Sequence, residues 1–278
     1  MSTTEVPSSA TAQRIALAVE YDGTTYSGWQ KQASPELPTV QSAIDTAISQ
    51  VADAEIASTC AGRTDAGVHA TCQVIHFDSP VDRGDKAWTA GVNSLLPDSI
   101  RIIWSKSVEN EFHARFSAMA RQYNYVIYVN KVSSANLSKK VTHVRRALDY
   151  EAMELAAQEL LGERDFSAFR AAGCQSKSSF RNVEHAHVRL QGPFVVLDIK
   201  ANAFLQHMVR NIAGALMEVG HGKKSPAWIA ELLAAKDRSL AGVTAPADGL
   251  YLVAVDYPQK FELPESRQFP LFLPAAVG

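Results

Sequence analysis

The feature that most limits the possible folds of this chain is the order of its strand and helix patterns, which runs β-α-β-β-α-β and is then repeated. In the first repeat, the predicted strands alternate apolar and polar residues, and the predicted helices keep apolar residues on one face. The predicted segments are strands at 14–22, 56–60, 73–78 and 100–108, and helices at 39–51 and 85–96. This order is that of a ferredoxin-like unit.

The second repeat of this order lies in the C-terminal part of the chain. Its predicted strands are 122–129, 180–190, 194–200 and 249–256, and its predicted helices are 149–162, 203–219 and one that starts at 225. We therefore expect an α+β protein with two ferredoxin-like or RRM-like βαββαβ halves, each with a largely antiparallel sheet and helices on one face. Two such halves leave a cleft between them, and clefts of this kind are favoured ligand sites.

The expected organisation has four parts: a flexible N-terminal arm (1–13), an N-terminal half (14–112), a C-terminal half (113–257) and a C-terminal extension (258–278). The arm lacks the apolar centre of a signal peptide. No apolar run reaches the roughly 20 residues that cross a bilayer, so we expect no membrane association. Three cysteines are too few for a disulfide framework, which fits a cytoplasmic protein.

The charge of the chain is unevenly distributed. The formal net charge is −2, but residues 113–190 carry 12 Lys and Arg against 7 Asp and Glu, whereas the remainder carries 15 against 22. A local basic surface matters more for binding phosphates than the whole-chain sum. From charge alone, an ordinary mixed surface and a nucleic-acid-binding surface both remain open.

The loop at residues 60–70 carries the first candidate for chemistry. Asp65 is surrounded by alanine and glycine, so a large ligand could approach its carboxylate. Arg63, two residues away, could fold back across a tight turn and stabilise the charged carboxylate, and such a carboxylate can act as a nucleophile. The competing interpretation is that Asp and Gly are here only because they are common in turns.

Known metal and nucleotide motifs do not fit the chain. Cys60, His69 and Cys72 match no standard zinc spacing, and the His-x-Glu with Pro-Cys-x-x-Cys pattern of zinc deaminases is absent. The run at 220–225 resembles part of a phosphate loop, but Met217 occupies the position where the Walker pattern has glycine. We therefore expect neither a metal nor a cofactor.

Residues 62–70 read Gly-Arg-Thr-Asp-Ala-Gly-Val-His-Ala and closely resemble the signature of the tRNA pseudouridine synthase A family. Further blocks of the same family are matched in the expected order, namely 21–30, 112–118, 121–125, 166–169 with 173–177, and 203–211. The resemblance covers about residues 14–257. One block would be a weak signal, but six in order are highly specific.

The resemblance implies an isomerase that converts uridines 38, 39 and 40 of the tRNA anticodon stem-loop to pseudouridine, without a cofactor. It implies Asp65 as nucleophile, Arg63 as its partner, Tyr123 packed on the target base, and Arg210 as a further basic group. It also implies a homodimer with tRNA held by both subunits. The carboxylate could attack the ribose anomeric carbon, remove a ribose proton, or add to the uracil ring, and the sequence leaves this choice open.

RNA contacts are expected from three further segments. The inter-domain segment and the block after the third helix are matched to the family, and a basic run in the C-terminal half could bind phosphates. Their expected RNA-binding residues are Phe112, His113, Ala114, Arg115, Phe116, Gly173, Cys174, Gln175, Ser176, Lys177, Lys139, Lys140, Arg145 and Arg146.

Two other functions compete with the isomerase. The halves share the topology of RNA-recognition motifs, so a non-catalytic RNA-binding protein is the main alternative, although no K/R-G-F/Y-G/A-F-V-x-F/Y string occurs. A hydrolase of small molecules with Asp65 as nucleophile is the second, but it would not need a basic middle region. An assay with labelled tRNA distinguishes the three functions. An isomerase converts the uridine, an RNA-binding protein only binds the tRNA, and a small-molecule hydrolase does neither.

Overall fold

The structure is a computed structural model that describes residues 12–32, 37–265 and 269–274. The predicted N-terminal arm falls almost entirely outside these ranges. The N-terminal half contains, in chain order, β1 (Gln13–Tyr21), α1 (Val40–Ala52), β2 (Thr59–Cys60), β3 (His69–Ser79), α2 (Gly84–Lys86, continued by a helical turn over Ala87–Gly91) and β4 (Ile100–Val108). Thr39 caps α1, because its hydroxyl oxygen accepts a hydrogen bond from the Ser42 amide at 3.2 Å.

The C-terminal half repeats this order with additions. Its elements are β5 (Ala120–Val129), β6 (Thr142–Val144), α3 (Tyr150–Gln158), β7 (Gly162–Asp165), β8 (Phe180–Gln191), β9 (Phe194–Ala201), α4 (Met208–Gly220), α5 (Trp228–Ala235) and β10 (Leu250–Asp256). The short strands β6 and β7 pair with β5 and β8 at the margins of the sheet. The helices in the described ranges include none with both the length and the apolar character to span a membrane.

The predicted α+β fold class is confirmed, and the two halves share one sheet. Among the described residues the strand order is β4-β1-β3-β10-β5-β9-β8-β7, with β2 on β3 and β6 on β5. Each half therefore has the ferredoxin-like order, in which the fourth strand lies beside the first and the second beside the third. The halves meet where β10 pairs with β3 in parallel, with Tyr251 opposite His69 and Leu252 opposite Ala70.

Side-chain contacts around His69 reinforce this junction. The His69 ring stacks on Tyr251 with centroids 4.7 Å apart, and its Nε2 donates to the Lys139 carbonyl at 2.9 Å. The Lys140 ammonium forms an ion pair with Asp22 of the N-terminal half. These contacts hold the start of β3 against the C-terminal half, and the loop that precedes β3 is held with it.

Two helix boundaries differ from the predicted ones. The helix predicted from residue 203 begins only at Met208, because His207 has a φ of +62°, which a right-handed helix cannot contain. The helix predicted to end at Gly162 ends at Gln158. Residues 159–161 instead form tighter turns with hydrogen bonds to the third preceding residue.

The described part of the C-terminal extension lies against both halves. Phe261 packs edge-on against Phe112 of the inter-domain segment, with ring centroids 5.1 Å apart. Farther along, Phe272 packs against Phe194 and Tyr251 on the face of the sheet opposite the main core. The extension thus covers apolar side chains at two separate places.

Candidate active site

The Asp65 loop, residues 61–68, connects β2 to β3 and is fixed mainly through its backbone. The Thr64 carbonyl accepts from the Trp29 amide at 3.0 Å, and the Thr64 hydroxyl bonds the buried Tyr21 hydroxyl at 2.7 Å. The Gln73 side-chain amide bonds both the carbonyl (2.6 Å) and the amide (3.3 Å) of Gly62. The loop is therefore rigid although most of its side chains are small.

Two glycines are needed for this loop geometry. Gly67 has a φ of +79° in the turn closed by the Val68 amide and the Asp65 carbonyl, a conformation that L-residues with a Cβ rarely adopt. Gly28 has a φ of +99°, and a Cβ there would lie 2.9 Å from the Thr64 carbonyl oxygen. The segment around Gly28 can approach the Asp65 loop only because this side chain is absent.

A cleft of about 1140 Å³ lies between the halves, and Asp65 is part of its wall. The N-terminal half contributes the Asp65 loop and residues 27–30. The C-terminal half contributes residues from β5, the loop at 173–176 and the segment 203–210 at the start of α4. The cleft that the repeated topology predicts is thus present, and the candidate nucleophile faces it.

The carboxylate of Asp65 is contacted from the opposite half. Arg210 Nη1 and His207 Nε2 each lie 3.3 Å from Asp65 Oδ2. Arg210 is itself anchored, because its Nε donates to the Ala245 carbonyl at 2.9 Å. The start of α4 therefore presents one hydrogen-bond donor, Arg210, and the His207 imidazole to one carboxylate oxygen, at the helix end where the backbone dipole favours negative charge.

The expected pairing of Arg63 with Asp65 does not occur. Arg63 is exposed in the cleft wall, and within the described residues it forms no ion pair. The turn at 65–68 directs the Asp65 side chain toward α4, where Arg210 takes the place predicted for Arg63. Two residues of sequence separation suggested a local pair, but the actual partner is 145 positions away.

Sequence reasoning did not single out His207. The signal was present in its spacing, because His207 and Arg210 are three residues apart and such residues share one side of a helix.

Arg121 was missed as well. Its buried guanidinium donates to the Ala61 carbonyl at 2.9 Å, the Arg115 carbonyl at 2.7 Å and the Asn202 carbonyl at 3.0 Å. Arg121 thus ties the base of the Asp65 loop to the C-terminal half.

Tyr123 lies at the bottom of the cleft on β5. Its side chain is only 8% exposed and meets the Phe204 ring edge-on, with centroids 5.0 Å apart. Its hydroxyl is near Gly62, where an added Cβ would lie 3.8 Å from it. Burial, with a smaller effect from the nearby Asp65 charge, raises the pKa of Tyr123 well above its ordinary value, so the phenol stays neutral.

The inter-domain segment 112–116 divides into buried and exposed residues. Phe112 and Ala114 are fully buried, which corrects the expectation that their side chains contact RNA. Phe116 is 76% exposed, with the Arg115 guanidinium 5.6 Å from its ring centre and the His113 ring 4.3 Å away. Arg115 and Phe116 line the cleft, so they remain candidates for RNA contact.

The loop at 171–179 closes another side of the cleft. Arg170 donates to the Cys174 carbonyl at 2.7 Å and the Ser176 carbonyl at 2.9 Å, which shapes the loop from within. The cleft-lining members of the predicted RNA-binding block are Gly173, Cys174, Gln175 and Ser176. Lys177 is exposed but does not line the cleft.

The basic run at 139–146 lies away from the cleft. Lys140 is paired with Asp22, and Lys139 lies 3.4 Å from Asp248, so both charges are partly neutralised within the protein. Arg145 and Arg146 are exposed, and within the described residues neither forms an ion pair. Only this last pair is thus available to phosphates without breaking an internal contact.

The described residues contain no cluster of three or more His, Cys, Asp or Glu side chains that could hold a metal ion. Comparison with known proteins then places the site in a family. A family model described as tRNA pseudouridine synthase matches residues 17–117 and 156–258. The matched ranges include Asp65 and Arg210, whereas Tyr123 lies between the two ranges. The chain belongs to the tRNA pseudouridine synthase family.

Individual relatives agree with this assignment. The enzyme is 58% identical over 260 residues to tRNA pseudouridine synthase A of Shigella boydii, covering 94% of this chain and 96% of that protein. It is 58% identical to the protein of the same name from Escherichia fergusonii, with the same coverage. A solved archaeal box H/ACA sRNP Nop10–Cbf5 complex is similar over 73% of this chain and 44% of that one, at 12% identity and a TM-score of 0.33, which is too distant a likeness to support an argument.

Proposed function

We propose that the enzyme isomerises uridine to pseudouridine at positions 38, 39 and 40 of the tRNA anticodon stem-loop, with Asp65 as the group that starts the reaction. The observation that carries the proposal is the Asp65 carboxylate in the cleft wall, contacted across the cleft by Arg210. The 58% identical relatives named tRNA pseudouridine synthase A support the reaction and the class of substrate.

The reaction moves uracil from one attachment to another on the same ribose. The bond from the anomeric carbon to N1 breaks, a bond to C5 forms, and the proton on C5 is lost while N1 gains one, so the product has the composition of the substrate. Both ribose-directed routes begin with a carboxylate oxygen at the sugar, as nucleophile or as base. The Asp65 loop suits either route because its small side chains leave room for a nucleotide.

The target nucleotide must leave its stack to reach the carboxylate, which costs a few kcal/mol. Stacking on an aromatic side chain returns about 1–3 kcal/mol per base. Tyr123 is the aromatic residue at the bottom of the cleft near Gly62, and we assign it to the target base. As a neutral phenol it can also donate a hydrogen bond to the base.

Arg63 is assigned to the RNA and not to Asp65. Its guanidinium is exposed in the cleft without an ion pair among the described residues, and an arginine in that state is suited to a phosphate. Arg115 and Phe116 at the cleft border, and Arg145 and Arg146 outside it, extend the RNA surface. Phosphate contacts of this kind position RNA without reading its sequence, which fits action on three neighbouring uridines.

The proposal includes a homodimer that holds tRNA with both subunits, the four-part domain organisation, and a cytoplasmic location, where tRNA is modified. The non-catalytic RNA-binding protein is disfavoured because simple sheet-surface binding gives no reason for a carboxylate contacted by Arg210 and His207 in a cleft. A negative charge in the binding cleft would weaken RNA binding in such a protein.

Asp65→Asn tests the catalytic part. We expect single-turnover pseudouridine formation to fall by about 10⁴-fold or more, because the nucleophile is gone. The affinity for tRNA should stay within about threefold, since the amide is nearly isosteric and removes a negative charge from a phosphate-binding cleft. Lys86→Gln, which changes an exposed residue on α2 that does not line the cleft, serves as a control that retains the rate.

Site specificity has its own test. Pseudouridine mapping of tRNA from cells that lack the enzyme should show loss at positions 38, 39 and 40 and retention at other sites. Normal turnover in Asp65→Asn would contradict the nucleophile assignment, and unchanged modification at all three positions would contradict the choice of substrate arm.

A further inference from the structure

We propose that His207 is a positioning residue that fixes the plane of the Asp65 carboxylate and leaves Oδ1 as its reactive oxygen. The inference rests on the proposed role of Asp65. Arg210 Nη1 donates a hydrogen bond to Oδ2 at 3.3 Å, and His207 Nε2 lies at the same distance from this oxygen. Among the described residues, Oδ1 has no hydrogen-bond partner, which leaves it as the oxygen available to a nucleotide in the cleft.

The backbone at His207 is adapted to this task at the expense of local stability. Its φ of +62° and ψ of 4° lie in the left-handed region, which is unfavourable for a residue with a Cβ. It occupies the N-cap of α4, where Ser, Thr, Asp or Asn is preferred and the conformation is usually extended. The imidazole makes no capping hydrogen bond. Helix formation alone therefore does not explain a histidine here.

The residues on both sides hold His207 in this conformation. Leu205 and Met208 are buried, and the Met208 amide bonds the Leu205 carbonyl at 3.0 Å, which closes a tight turn around His207. The Gln206 carbonyl accepts from the Ala171 amide at 3.1 Å, and the His207 carbonyl accepts from the Asn211 amide at 2.8 Å. The position of the imidazole is thus determined by backbone that cannot shift independently.

Two contacts on one carboxylate oxygen constrain the carboxylate more than a single contact does. The terminal torsion of an aspartate side chain is broad, so a single contact at Oδ2 would let the carboxylate plane rotate about it. Arg210 reaches Oδ2 from the first turn of α4 and His207 from the residue before the helix, so the plane is constrained from two directions.

His207→Asn and His207→Gly test the inference together. Asparagine tolerates the left-handed conformation but its amide is too short to reach Oδ2, and glycine accepts a φ of +62° without strain. We expect both variants to lose about 10- to 100-fold in the single-turnover rate at saturating tRNA, because small misplacement of a reacting group has effects of this size. Their tRNA affinities and melting temperatures should stay at the wild-type level, and the glycine variant should be no less stable.

The matched control is His187→Asn, which removes an exposed histidine on β8 that pairs with Glu154 outside the cleft. It should behave as wild type in rate, affinity and melting temperature. A wild-type rate in either His207 variant would overturn the inference, as would a rate loss matched by an equal loss of tRNA affinity. A rate loss in the asparagine variant alone would also overturn it, because backbone preference and not the imidazole would then be responsible.

The double variant separates this inference from the proposed function. Residues that act as a unit are strongly non-additive, so His207→Asn should not lower the residual rate of Asp65→Asn further. A further loss in that background would show that His207 acts independently of Asp65 and would overturn the proposal. If Asp65→Asn were itself active, the proposed function would fail first. If the His207 variants were fully active and Asp65→Asn was inactive, the result would contradict only the role of His207 and would leave the proposed function in place.

Discussion

The two sides of the cleft are built in opposite ways. The N-terminal side is a loop of small residues held through its backbone, and it contributes one reactive group, Asp65. The C-terminal side uses long side chains, and Arg210, His207 and Tyr123 all come from it. The candidate nucleophile and the groups that orient it thus belong to different halves. This difference means that the site exists only when the halves are docked.

The arginines of the cleft show the same contrast. Arg210 and Arg121 of the C-terminal half donate to backbone carbonyls and are held in place. Arg63 and Arg115 are exposed, and within the described residues neither has an ion pair. Fixed arginines suit the orientation of a reacting group, whereas exposed ones can adapt to RNA. Substitutions of these arginines and of their neighbours test whether this division of roles holds.

Replacing Arg210 or Arg63 with glutamine should give the largest difference between an effect on the rate and an effect on tRNA binding. Arg210→Gln should lower the single-turnover rate by about 100- to 1000-fold, as expected when a charged donor at a reacting group is removed. Its affinity for tRNA should change little. Arg63→Gln should instead weaken tRNA binding by about tenfold or less, because it removes a phosphate contact. Filter binding and rapid-quench assays on both proteins check this, and the reverse pattern would mean that Arg63 pairs with Asp65 once RNA is bound.

Phe116→Ala tests the exposed aromatic side chain at the border of the cleft. Loss of one base-stacking contact, worth about 1–3 kcal/mol, should raise the Kd for tRNA by about 5- to 160-fold. The rate at saturating tRNA should persist, because Phe116 does not touch Asp65. Leu155→Ala, a change at an apolar residue on α3 that is 64% exposed and does not line the cleft, should leave the Kd unchanged. Equal effects of the two substitutions would remove Phe116 from the RNA surface.

Lowering the pH should weaken the contact between β3 and the inter-domain segment, while the hydrogen bonds of Arg121 and Arg210 stay intact. The Ala114 amide donates to Nδ1 of the buried His76 at 3.2 Å, which ties β3 to the inter-domain segment. Burial, together with the positive charges of His113 and Arg14, lowers the pKa of His76 to about 4. The unfolded chain binds this proton near pH 6.5, so the free energy of unfolding should fall as the pH drops from about 6.5 to about 4, by up to about 3 kcal/mol.

His76→Gln checks this pH dependence, since a glutamine oxygen can accept from the Ala114 amide but does not titrate. Denaturant unfolding between pH 7 and pH 4.5 should show a shallower loss of stability in this variant than in wild type. His143→Gln, at a partly exposed histidine outside the junction, is the control with a wild-type slope. An unchanged slope in His76→Gln would assign the acid sensitivity to other groups.

Much of the fold could be predicted from local pattern. The helix after Thr39 and the strand at 100–108 were predicted with their boundaries, because periodicity and capping depend on neighbouring residues. The ferredoxin-like order of each half followed from the order of its elements. The burial of Phe112 and Ala114 could not be predicted this way, since it depends on contacts with Phe261 and other residues far along the chain.

Local residue patterns were sufficient to place Asp65 in a loop of small residues, to predict two similar halves with a cleft between them, and to relate the chain to one family. The residues that contact the carboxylate follow instead from the packing of the two halves. Arg210 replaced Arg63 and His207 joined it because the turn after Asp65 points the side chain toward the other half. Local sequence encodes which face of an element is buried, but not which distant element will cover it. That choice depends on how the two halves pack.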